Sequence, residues 1–107
     1  MDKFNIDNHK LIYHPDIIVK WLNGENPCPI YVEISPTNVC NHKCSFCACD
    51  FAQIKKSMLN SKVLMTCIRD MAACGVKSIM FGGEGEPLCY RYIANIIAES
   101  SGLLSMA

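Results

Sequence analysis

The sequence predicts an α/β fold built on parallel strands. Two short β-rich segments, Ile30–Ser35 and Val76–Phe81, are each followed by a segment with helical apolar spacing, and a third apolar stretch opens at Leu103. Strands that alternate with helices pair in parallel through right-handed crossovers. In such units every loop that follows a strand lies on the same side of the sheet, and neighbouring strands stand about 4.8 Å apart. The loops after the two strands are therefore expected side by side, as two walls of one site.

Each element has a local reason. Residues 1–13 carry no clear pattern. His14-Pro15-Asp16 then opens a short helix, because proline suits the first turn, the aspartate favours the positive end of the dipole, and Gly24 supplies a stop. Ile17, Ile18, Trp21 and Leu22 share one face of it, with Trp21 read as a core anchor. Asn26-Pro27-Cys28-Pro29 is a loop, since two prolines leave no room for regular hydrogen bonding. Ile30–Ser35 alternates apolar Ile30, Val32 and Ile34 with polar Tyr31, Glu33 and Ser35, whose side faces a barrel lumen, solvent or other packing. Pro36 ends the strand, and a cysteine-bearing loop runs to about residue 50. A helix is expected over Ser61–Cys74, with Leu64, Cys67, Ile68 and Met71 on its apolar side and Gly75 as its stop. After Val76–Phe81 comes the loop Gly82-Gly83-Glu84-Gly85-Glu86-Pro87, with Glu86-Pro87 read as a turn and helix start. A stripe of Tyr92, Ile93, Ile96 and Ile97 ends at Gly102, and Leu103–Ala107 reads as the beginning of a further strand.

A chain of 107 residues allows one small domain. Half its residues are apolar, 19% are charged, and ten basic side chains balance ten acidic ones. That balance argues against nucleic acid as a partner and against a polybasic membrane anchor. No apolar run approaches the roughly 20 residues that span a bilayer, and no secretory segment follows Met1, so a cytoplasmic protein is expected. The eight cysteines are the anomaly. Cys40, Cys44, Cys47 and Cys49 cluster, whereas Cys28, Cys67, Cys74 and Cys89 are scattered. In a reducing compartment clustered thiols read as metal ligands and scattered ones as small, unliganded core residues.

Cys40-Asn41-His42-Lys43-Cys44-Ser45-Phe46-Cys47 sets three thiols at spacings of four and three. Three adjacent thiolates are soft ligands, suited to an iron–sulfur cluster or to zinc. Structural zinc sites close with four protein ligands, usually in two separated pairs, and there is no second pair here; Cys49 or His42 is left as a fourth. The ferredoxin run Cys-x2-Cys-x2-Cys-x3-Cys-Pro is absent as well. Three cysteines on a four-iron cluster leave one iron open, which is how a metal centre accepts a small molecule.

Cys40-x3-Cys44-x2-Cys47, with Phe46 just before the last cysteine, resembles the motif of the radical S-adenosylmethionine (SAM) enzymes. Gly82-Gly83-Glu84, at the end of the next strand, resembles their glycine-rich SAM-binding motif. The resemblance implies a partial (β/α)6 TIM-like barrel, of which this chain holds the first βα units in truncated form. Residues 1–29 would be a helix and loop leading into the core, and 30–107 an incomplete core domain. It implies that Cys40, Cys44 and Cys47 hold three irons of a 4Fe-4S cluster and that SAM chelates the fourth. An electron from a donor such as flavodoxin or ferredoxin would cleave SAM to methionine and a 5′-deoxyadenosyl radical, which takes hydrogen from an unknown substrate. Phe46 would flank the adenine, Gly82 and Gly83 would admit the methionine amino group, and Glu84 would orient backbone or that amino group. Phe81-Gly82-Gly83-Glu84-Gly85-Glu86-Pro87 is similar to versions found in members with a C-terminal auxiliary-cluster (SPASM) domain. Cys49 is then a bystander, and the chain alone is expected to be inactive. The alternative is a non-catalytic zinc- or iron–sulfur-binding module using Cys40, Cys44, Cys47 and Cys49.

Overall fold

A computed structural model of the chain describes residues 10–106. Residues 1–9, the start of the expected leading segment, and Ala107, the last residue of the expected final strand, lie outside the described residues.

A 3-10 turn at Leu11–Tyr13 leads into α1 (Pro15–Leu22), which has Pro15 in its first turn beside Asp16, and Lys20 in its last turn. β1 (Tyr31–Ile34) is followed by the cysteine loop, within which α2 (Ala48–Phe51) forms a single turn that the sequence reading did not anticipate. α3 (Ser61–Cys74) has the expected bounds. Asn60 caps it by accepting from the Lys62 and Val63 N–H groups at 3.0 and 3.2 Å, and Gly75 ends it in the left-handed region at φ +113°. β2 (Ser78–Phe81), a 3-10 turn at Pro87–Cys89, α4 (Ile93–Ser100) and β3 (Ser105–Met106) complete the order.

The strands form one three-stranded sheet in the order β1-β2-β3, parallel throughout. Tyr31 pairs with Ser78 and Ile34 with Phe81, while Ser78 pairs with Ser105. The protein is thus mixed α/β with strands and helices alternating as expected. β1 and β2 are each two residues shorter than the apolar runs Ile30–Ser35 and Val76–Phe81. One face of the sheet holds the core: Ile79, Val32, Ile34 and Phe81 pack with Leu64, Met65 and Ile68 of α3 and Ile96 of α4. On the other face Ser78 is buried and Met80 half-buried in β2, while Tyr31 and Glu33 of β1 are exposed. There exposed Tyr31 donates to Glu33 Oε1 at 2.9 Å and lies 3.4 Å from Met80 Sδ.

The readings of four residues are corrected. Trp21 is 69% exposed and α1 buries no residue, because this helix precedes the sheet and does not cover its face. Cys67 is exposed: the buried set of α3 is Leu64, Met65 and Ile68, and at 100° per residue Cys67 falls on the flank of that stripe. Cys28 and Cys74, read as separate thiols, are joined in a disulfide with their Cα atoms 6.0 Å apart, because the C-terminal end of α3 lies against the loop before β1. No helix among the described residues is long and apolar enough to cross a membrane.

Candidate functional site

The cysteine loop leaves the C-terminal end of β1 through Pro36 and Thr37, both buried. Two side chains staple its feet together. Thr37 Oγ1 donates to the Ser57 carbonyl at 2.9 Å and accepts from the Val39 N–H at 3.0 Å. Asn38 Nδ2 donates to the Lys55 carbonyl at 2.8 Å, and its Oδ1 accepts from the Ser57 N–H at 2.7 Å. The Leu59 N–H reaches the Pro36 carbonyl at 2.9 Å, beside an antiparallel bridge between Thr37 and Met58. Beneath them the fully buried Tyr90 donates its hydroxyl to the Leu59 carbonyl at 3.0 Å. Burial, with Tyr92 second, pushes the Tyr90 phenol above its ordinary range.

The glycine loop leaves the neighbouring strand end, where the Gly82 N–H donates to the Ile34 carbonyl at 3.0 Å. It then runs directly over the root of the cysteine loop. Gly83 has φ +97°, and a Cβ there would collide with the Ser35 side chain. A Cβ on Gly85 would strike the Thr37 and Val39 carbonyl oxygens. The Glu84 N–H donates to Ser35 Oγ at 3.3 Å and the Glu86 N–H to the Val39 carbonyl at 2.9 Å. The Glu86 carboxylate accepts from the Leu88 N–H at 3.1 Å, capping the 3-10 turn as expected. It also stands 3.5 Å from Nδ1 of His42, between the first two motif cysteines.

Within the loop, Cys40 and Cys44 are exposed and Cys47 is half-buried at the N-cap of α2. The His42 N–H donates to Cys40 Sγ at 3.4 Å, and the Cys47 N–H donates to the Cys44 carbonyl at 3.1 Å. Phe46 is 86% exposed. Cys49 is half-buried; loss of solvent first, then the charges of Cys47 and Glu84 and a hydrogen bond with Cys47, push its thiol up, against a weaker pull from Lys56. Glu84 on one wall therefore acts on the Cys49 thiol of the other.

The structure brings the two loops together but does not gather Cys40, Cys44 and Cys47 around a common point. Among the described residues, no three His, Cys, Asp or Glu side chains are arranged as a metal ion would need. The donor set still suits a cluster: soft thiols, two of them exposed, sit on one short loop with tied feet, and thiolate coordination commonly completes the fold of such loops.

Sequence reasoning missed the brace of Ser35, Asn38 and Gly85. Gly85 stands in the quoted motif, but its requirement comes from a carbonyl pair in another loop, and the Asn38 partners lie 17 and 19 positions away. Set against known proteins, the chain matches no protein-family model and no curated sequence. The family reading rests on the motif residues and on where the fold puts them.

Proposed function

We propose that this chain is the cluster- and SAM-binding segment of a radical SAM enzyme, its three strands being the first of a partial (β/α)6 barrel. One observation carries the reading. The glycine loop lies on the root of the cysteine loop, through Gly83 on Ser35 and Gly85 on Thr37 and Val39, so the two motifs share one site at adjacent parallel strand ends. Exposed Tyr31 and Glu33, on the face of β1 turned away from the core, suit the inner face of such a barrel, since parallel sheets are normally covered on both sides.

Cys40, Cys44 and Cys47 would hold a 4Fe-4S cluster and leave one iron for SAM. Gly82 keeps the strand end low enough for a ligand's amino group to approach backbone, and Glu84 offers a carboxylate beside it. Phe46 presents an exposed ring next to Cys47, where an adenine can lie. When bound, the cluster and SAM supply reductive cleavage to a 5′-deoxyadenosyl radical, with flavodoxin or ferredoxin as the class of electron donor. The chain's share is position: two tied loop feet fix the distance between the thiols and the glycine backbone.

The rival is a closed four-thiol module that adds Cys49, two residues after Cys47 on the same loop. Anaerobic reconstitution with iron and sulfide separates the two. The proposal expects an oxygen-sensitive iron–sulfur chromophore that is lost in Cys40→Ala, Cys44→Ala and Cys47→Ala and retained in Cys49→Ala. Stoichiometric zinc with no iron uptake, or loss of the chromophore in Cys49→Ala, would overturn it.

A further inference from the structure

We propose that the Cys28–Cys74 disulfide is an exchange site for small anionic thiols, and that its redox state sets how firmly α1 is held to the base of the sheet. This site lies at the opposite end of β1 from the cysteine and glycine loops and is independent of the radical SAM reading. Cys28 stands two residues before Ile30, and Cys74 is the last residue of α3; the bond closes 46 positions of chain.

Two observations meet here. The first is a cavity of about 330 Å3 whose wall includes both cysteines, with His14, Lys20 and Lys77 as nitrogen-bearing groups and Asp16 as the acid. That volume is enough for a tripeptide-sized ligand or a large part of one. Lysines recognise carboxylates, so a thiol carrying carboxylates is drawn to the cavity that contains the sulfurs it can attack. The second is that α1 buries no residue, so its own packing holds it weakly. The disulfide anchors the loop that follows it to α3, whose Leu64, Met65 and Ile68 are in the core.

The chemistry balances without a further reagent. A small thiolate RS⁻ attacks one sulfur of the bridge; the Cys28–Cys74 bond breaks, a mixed disulfide forms and the other cysteine leaves as thiolate. A second RS⁻ attacks the mixed disulfide, releasing RSSR and the second cysteine thiolate, and the two cysteine thiolates take their protons from water. The protein gains two electrons and two small thiols lose them. Run in reverse, RSSR restores the bridge.

The test uses the full chain purified without reductant, with glutathione as the anionic probe and cysteamine as the cationic one. Differential alkylation with peptide mass mapping follows Cys28 and Cys74 separately from the other cysteines. Both are expected to be blocked before thiol is added. At equal thiolate concentration, glutathione should open the bridge roughly three- to tenfold faster than cysteamine, the worth of one or two exposed charge pairs. Lys20→Gln with Lys77→Gln should remove that advantage and leave the cysteamine rate alone. Amide exchange in residues 15–22 should speed up on reduction, and Cys28→Ser and Cys74→Ser should each show the faster exchange without any thiol. Alkylation of both cysteines before reduction, equal rates for the two thiols, or exchange in α1 that ignores the bridge would each overturn the proposal.

Discussion

Gly82 and Gly83 look interchangeable in the sequence, and both read as places where backbone must approach a ligand. Their surroundings separate them. A Cβ on Gly82 would make only an ordinary contact, 3.5 Å from the Met80 methyl, whereas Gly83 needs its glycine for a positive φ and for its seat on Ser35. Gly83→Ala should therefore lower stability by about 1–3 kcal/mol, the usual scale of a forced backbone conformation, as measured by urea unfolding. Gly82→Ala should leave the unfolding midpoint in place and reconstitute a normal cluster. Its loss should appear in SAM binding, read by titration against the reduced, paramagnetic cluster. An unchanged SAM response in Gly82→Ala would remove that backbone from the proposed pocket.

Among the elements, α3 was legible because its signals are local: an apolar stripe followed at once by a glycine stop, to which the structure adds the Asn60 cap. The cysteine loop was legible in its thiols but not in its bracing. Asn38→Ala removes two side-chain hydrogen bonds to Lys55 and Ser57. At about 1 kcal/mol each, this should cost about 2 kcal/mol and raise amide exchange across residues 39–57. Tyr90 supports the same loop from below, and its raised pKa makes that support depend on pH. A phenol whose folded pKa lies above the unfolded value near 10 stabilises the fold fully below about pH 10, and the contribution is lost as pH rises through the folded pKa. Tyr90→Phe should then cost about 1 kcal/mol at pH 8 and show a shallower loss of stability than the parent chain as pH rises above about 10. Parallel slopes for the two proteins would show that Tyr90 titrates no differently once folded.

Across the whole molecule, one layer of helices covers one face of a parallel sheet, and the link from α3 to the loop before β1 is covalent. A bridge that closes 46 positions restricts the unfolded chain strongly. Cys28→Ser should lower stability by about 2–4 kcal/mol, seen as a fall in the urea midpoint under non-reducing conditions. The same substitution measured in excess reductant should cost almost nothing, which distinguishes loss of the bridge from damage to packing. The expected alternation of strand and helix is present with both strand pairs parallel, so the adjacency of the two motif loops follows from topology. The corrected residues, Trp21, Cys67, Cys28 and Cys74, each have an apolar or thiol side chain whose type suggests burial. For Trp21, Cys28 and Cys74 the outcome is decided by another element, and for Cys67 by its place on the flank of the buried stripe of α3.

What the sequence determined by itself was whatever is encoded within a few neighbouring residues: the strand–helix alternation, the bounds of α3, the thiol spacing and the glycine loop at the end of a strand. Period, caps and stops act over one or two turns, so they can be read without knowing the fold. Only the tertiary structure decided which glycine is locked by packing, that Asn38 and Thr37 close the cysteine loop onto Ser57, that α1 rests outside the core, and that Cys28 meets Cys74. Those outcomes are contacts between residues 17 to 49 positions apart, set by how strands stack in register and which helix face turns inward, and no local pattern carries that information.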